Sequence, residues 1–164
     1  VKDLADDVRE AGRKTVKSFG VKSRFVHFEF FRLTADKGNL GKKGDVIALE
    51  VNMRPPGGYT PDMMNFANDI DVYQIWADMV CHDKGFFDPE HRPYAAVYGS
   101  QRKGKEYAHN KDDIFAKYGQ NILMYEEMPE VLASAMGDYA YMARFATDEE
   151  MYEFLDYVIE KKEG

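Results

Sequence analysis

Two β-branched and aromatic runs constrain this chain most. They are residues 24–33 (Arg24-Phe25-Val26-His27-Phe28-Glu29-Phe30-Phe31-Arg32-Leu33) and residues 46–54 (Val46-Ile47-Ala48-Leu49-Glu50-Val51-Asn52-Met53-Arg54). Runs of this composition bounded by turn residues make strands. Between them, residues 34–45 carry Gly38, Gly41 and Gly44 among charged residues, which is the chemistry of a reversal. Pro55-Pro56-Gly57-Gly58 follows the second run, and two prolines cannot donate to a ladder, so that strand has to stop there. The pair reads as an antiparallel hairpin with a long solvated loop.

The flanking segments read as helices. Leu4, Val8, Ala11 and Thr15 follow a helical repeat that Gly20 ends. Thr60 and Pro61 open a helix with Met63, Met64 and Phe66. Val72, Ile75, Trp76, Met79 and Val80 mark the next helix, capped by Asp69 or Asp71, with Trp76 expected in the core. Beyond residue 89 short strands are expected at 94–99, 105–109, 122–126 and 138–145, with a helix at 112–118. Thr147 with Glu150 forms a capping box ahead of an amphipathic closing helix through Met151, Phe154, Leu155, Val158 and Ile159. Lys161 and Lys162 suit that helix's C-terminal dipole, and Tyr139, Tyr141, Met142 and Phe145 are expected to form a small core or contact surface. The fold class is therefore α+β, an antiparallel sheet with flanking helices. Residues 1–88 form the first part, and residues 89–164 form a small C-terminal α/β subdomain.

Composition narrows the function. The chain has 164 residues, 45% of them hydrophobic, which is enough for a real core. Charged residues make up 31% and are spread along the chain, so no apolar run approaches the roughly 20 residues of a membrane span. With 22 Lys and Arg against 29 Asp and Glu, the net charge of −7 supplies no basic stripe for a phosphate backbone. Neither nucleic acid nor membrane is an expected partner. The single Cys81 cannot form an internal disulfide and fits a reducing, cytoplasmic compartment. The acidic start, Val1-Lys2-Asp3-Leu4-Ala5-Asp6-Asp7, is unlike a targeting segment and opens straight into a helix, so a piece of a longer chain is expected.

The chemistry concentrates in the hairpin. Strict alternation places Ala48, Glu50, Asn52 and Arg54 on one face of the second strand and Ile47, Leu49, Val51 and Met53 on the other. On the first strand Phe25, His27, Glu29 and Phe31 share a face, which sets a carboxylate among aromatics. A buried carboxylate needs a partner or a cation. If the strands pair, Glu29 and Glu50 can meet with Asn52 one pleat along. Two carboxylates and an amide oxygen are hard ligands suited to Mg²⁺, and Arg54 beyond them can hold a phosphate oxygen. The two carboxylates alone equally suit a glycosidase pair, although a sugar hydrolase needs no amide oxygen at that place.

Phe28-Glu29-Phe30, a hairpin, and then Leu49-Glu50-Val51-Asn52-Met53-Arg54 resemble the C-terminal half of an ATP-grasp domain, as in biotin carboxylase and the carbamoyl-phosphate synthase large chain. The resemblance implies that Glu29, Glu50 and Asn52 bind the Mg²⁺ or Mn²⁺ ions holding the nucleotide phosphates. It implies that Arg54 steadies phosphate or acyl phosphate and is the catalytic residue. It further implies an ATP-dependent carboxylate-amine ligase whose partners are ATP, a small carboxylate or amine substrate, and the N-terminal half of the ATP-grasp domain. The glycine-rich loop and lysines of that half do not occur ahead of the first strand, so this chain alone is expected to be inactive. A non-catalytic nucleotide- or metal-binding module is the alternative, and a two-carboxylate hydrolase the second. Gly41-Lys42-Lys43-Gly44 and Arg102-Lys103-Gly104-Lys105 read as solvated turns. His27 reads as a hydrogen-bonded structural histidine, while His82, His91 and His109 show no zinc spacing.

Overall fold

The computed structural model describes residues 2–162. The chain divides into two compact units. One contains residues 3–61 and 71–87, and the other contains residue 2, residues 62–70 and the chain from 88 onward.

In the first unit, α1 (Asp6–Ser18) begins with Asp6 and Asp7 and ends with Lys17, a charge order matched to the helix dipole. It packs against the hairpin of β1 (His27–Arg32) and β2 (Val46–Asn52). Arg32 reaches back to Asp7, with Nη1 2.5 Å and Nη2 2.8 Å from its carboxylate oxygens. The guanidinium holds the Asp7 carboxyl below its usual range. Val8, Val16, Val26, Phe28 and Phe30 line a groove of about 480 Å³ between α1 and β1. The even-numbered residues of β1 thus belong to the α1 face. Both strands are shorter than the sequence suggests: 24–26 and 53–54 lie outside the ladder, which ends at the His27–Asn52 pair. Arg54 therefore follows the strand instead of closing it.

α3 (Val72–His82) is capped by Asp71, whose carboxylate accepts from the Tyr73 and Gln74 amides. Asp69 has a left-handed φ of 48° and instead pairs with Arg144. Trp76 does not enter a core. Val72 and Ile75 are 5% exposed, whereas Trp76 is 53% exposed. The buried stripe runs through Val72, Ile75 and the half-buried Met79, and Trp76 and Val80 stand one position off it.

The other unit contains most of α2 (Thr60–Asn68) and a three-stranded antiparallel sheet in the order β3 (Ala95–Gln101), β5 (Tyr139–Phe145), β4 (Ile122–Glu127). The segment β3 alternates strictly, with Ala95, Val97, Gly99 and Gln101 buried. The closing helix α6 (Asp148–Ile159) starts at the expected Thr147/Glu150 capping box and packs Met151, Phe154 and Val158 onto the sheet. At Gly99 a Cβ would lie 3.3 Å from Val158, so the missing side chain lets α6 approach β3. Tyr141, Met142 and Phe145 are buried as expected. Burial pushes the Tyr141 phenol up to about 12, with Tyr139 and Glu127 adding to the shift. Buried Gln101 is satisfied by donating from Nε2 to the carbonyls of His109 and Val158, each at 2.9 Å.

Two local expectations fail in this unit. Residues 105–109 form no strand. Tyr107 makes an isolated bridge to Lys161, the Ala108 amide donates to the Glu160 carbonyl and the Lys162 amide to the Glu106 carbonyl, so the segment's backbone pairs with the chain just past α6 and not with a strand of the sheet. The helices α4 (Lys111–Tyr118) and α5 (Glu130–Met136) complete the unit. The first starts one residue before its predicted range, set by an Asn110/Asp113 capping box. The second was not expected, although Pro129 before it and Gly137 after it are a start and a stop signal. Gly137 has φ 86°, and a Cβ there would lie 2.7 Å from the Ser100 Cβ. Gly137→Ala is expected to destabilise this unit by about 2 kcal/mol or more, since strain and overlap add. Chemical denaturation of the variant beside wild type measures it.

Candidate functional site

The hairpin pairs Glu29 directly with Glu50 and His27 directly with Asn52. Directly opposed side chains share a face, so both carboxylates lie on the face away from α1. This outcome depends on an irregularity. From the loop end the ladder runs Arg32–Val46, Phe31–Ile47, Phe30–Ala48, and then shifts, leaving Leu49 as an extra residue before Glu29 meets Glu50. Without that bulge Glu29 would face Leu49, and Glu50 would face Phe28 on the α1 side. Strict alternation along the second strand is therefore corrected. Ala48 opposes Phe30 on the α1 face, and Glu50 and Asn52 occupy the other. Leu49, which alternation grouped with Ile47, Val51 and Met53, is 55% exposed.

The four polar side chains form one contiguous set, hydrogen-bonded from His27 through Asn52 to Glu50 and with Glu29 in charge contact with the ring. Asn52 Nδ2 donates to Glu50 Oε1 at 2.5 Å and lies 3.5 Å from His27 Nδ1. On the other side of the ring, His27 Nε2 is 3.3 Å from Glu29 Oε1. Glu29 keeps 44% of its side chain exposed, and Phe31 is 57% exposed. The carboxylate is thus not buried among aromatics as the sequence suggested, and His27 is its partner. Two carboxylates that share a solvent-accessible face can accept a cation there.

Arg54 lies two residues past β2 and is exposed. Its Nη1 donates to the Pro55 carbonyl at 2.9 Å, and no carboxylate pairs with it among the described residues. Its charge is consequently free for an anion. Among the described residues no three His, Cys, Asp or Glu side chains converge as metal ligands, so a cation here would rest on two carboxylates, an amide and outside ligands. His109, by contrast, is taken up elsewhere. It stacks on Tyr157 with ring centres 3.5 Å apart and meets Glu160 at 2.9 Å. Cys81 is an exposed free thiol.

No family profile and no curated protein matches the chain. Among solved structures it is similar to phosphoribosylglycinamide synthetase from Anaerococcus prevotii, with a TM-score of 0.56 at 16% identity. The alignment covers 95% of this chain and 41% of that one. At this identity the likeness is one of fold, and it agrees with the expected antiparallel, helix-flanked architecture. No helix of the described residues is long and apolar enough to cross a membrane.

Proposed function

We propose that this chain is the metal- and phosphate-binding part of an ATP-dependent carboxylate-amine ligase that works through an acyl phosphate, in the manner of carbamoyl-phosphate synthase. The observation that carries this reading is the direct opposition of Glu29 and Glu50, with Asn52 bonded to Glu50, at an exposed strand pair. The fold shared with a synthetase supports it. Under this reading residues 1–88 bind the nucleotide phosphates, and residues 89–164 are an appended subdomain. The missing part of the cleft comes from the remainder of a longer, cytoplasmic protein.

The donor set fits a hard divalent cation, because Mg²⁺ and Mn²⁺ take oxygen ligands and Mg²⁺ is commonly held by one or two carboxylates plus phosphates. Glu29, Glu50 and Asn52 would hold it, and when bound the ion neutralises phosphate charge during transfer. Arg54 would orient the migrating phosphoryl group with its planar pair of donors. Pro55-Pro56-Gly57-Gly58, with Gly58 at φ 61°, follows Arg54 directly and would shape the acceptor side.

With part of the cleft absent, Mg²⁺-ATP is expected to bind this chain at about 1 mM, near −4 kcal/mol, and no turnover is expected. Glu50→Gln removes one charge at nearly constant shape and should weaken the metal-dependent binding by about tenfold or more. Calorimetry with and without Mg²⁺ tests both statements. Micromolar affinity would mean that the chain holds a complete site, and binding indifferent to Mg²⁺ and to Glu50→Gln would remove the metal role.

A further inference from the structure

We infer that His27 is a positioning residue of this site: its imidazole orients Glu29 and the Asn52 amide so that oxygen atoms remain free for a divalent cation. The inference rests on the metal-binding reading above and extends it to a residue outside the expected ligand set.

The hydrogen-bond directions are determined by chemistry. Were the Asn52 amide reversed, its oxygen would lie 2.5 Å from a Glu50 carboxylate oxygen, an acceptor facing an acceptor, so nitrogen faces Glu50. The same NH₂ group is the one 3.5 Å from His27 Nδ1, which must then accept. A neutral imidazole that accepts at Nδ1 carries its proton at Nε2, the atom 3.3 Å from Glu29 Oε1. One tautomer therefore satisfies every contact, running from Asn52 through His27 to Glu29. Each contact uses up a nitrogen or one carboxylate oxygen. The second oxygen of Glu29, the second oxygen of Glu50 and Asn52 Oδ1 accept no hydrogen bond from the described residues. Those three atoms are the hard donors a Mg²⁺ or Mn²⁺ ion needs.

The register supports the assignment. His27 directly opposes Asn52 at the end of the ladder, as Glu29 opposes Glu50, so the imidazole is placed by the backbone and not by a flexible side-chain reach. Its side chain is also less exposed than that of Glu29, 26% against 44%. Groups that orient ligands in this way are worth about 10- to 100-fold in metal affinity.

The test uses Mn²⁺ alone, titrated into the chain and followed by electron paramagnetic resonance of the free ion, together with long-range ¹H–¹⁵N NMR of the imidazoles. His27→Phe keeps the ring shape and removes both nitrogens, and it should weaken Mn²⁺ binding by about 10- to 100-fold with an unchanged melt. His27→Gln restores an N–H donor toward Glu29 and should recover most of the affinity. If His27→Phe does not fold, His27→Ala takes its place in the comparison. The NMR spectrum of the metal-free protein should show His27 protonated at Nε2. A wild-type affinity in His27→Phe or His27→Ala while Glu50→Gln loses binding, or an Nδ1-protonated ring, would overturn the inference and leave the metal site standing. No saturable Mn²⁺ binding by wild type, or equal binding by Glu50→Gln, would overturn the metal reading and the role of His27 with it.

Discussion

Arg54→Lys in the full-length protein is expected to lower kcat by about 10²- to 10³-fold, the loss that follows removal of one preorganised transition-state donor. Lysine keeps the charge but not the planar two-pronged contact with phosphoryl oxygens. Arg54 lies beyond the last rung of the ladder and is exposed, and its guanidinium donates to the neighbouring Pro55 carbonyl. Its removal therefore breaks no structural ion pair, and the melting temperature should stay within about 1 °C of wild type, as for surface substitutions. ATP consumption measured beside a thermal melt decides the matter. Normal turnover would exclude Arg54 from the mechanism, and a fall in stability in proportion to activity would make it a structural residue.

Phe154→Ala is expected to cost about 3–5 kcal/mol, a large part of the 5–15 kcal/mol that keeps a domain folded. Phe154 is fully buried in α6, with its ring 5.1 Å from Tyr118 and 5.3 Å from Phe145. Val158 and Ile114 are equally inaccessible, so the neighbourhood has little freedom to collapse into the space left. For a unit of this size the transition should fall by more than about 10 °C. Differential scanning calorimetry measures the effect, and a shift of only a degree or two would mean that the core relaxes around the substitution.

Much of this architecture was legible in the amino-acid order where the signal is local. The Thr147/Glu150 capping box, an aspartate cap ahead of α3 and the proline stop after β2 are each written within a few residues. What could not be read depended on distant partners. Trp76 and Val72 both fit a helical apolar stripe, and only the surface available to α3 decides which of them is covered. The run 105–109 has strand-like residues, yet its backbone meets residues 160–162 just past α6 instead of a strand of the sheet, so Tyr107 makes a single bridge to Lys161. Gln101 occupies a buried ladder position because two carbonyls from elsewhere in the chain meet its amide.

The candidate site divides along the same line. Sequence alone determined that Glu29 and His27 share one side of the first strand, that Glu50 and Asn52 share one side of the second, and that Pro55 and Pro56 end the pairing, because side-chain alternation and proline's missing donor act within a strand. It did not determine that the two pairs would face each other. The loop between the strands is too long to impose a register as a two-residue turn would, and a shift of one residue moves a whole set of side chains to the other face. Only the tertiary structure supplies that shift, by setting Leu49 out of the ladder as a bulge, so that Glu50 turns from Phe28 toward Glu29 and Asn52 comes to oppose His27.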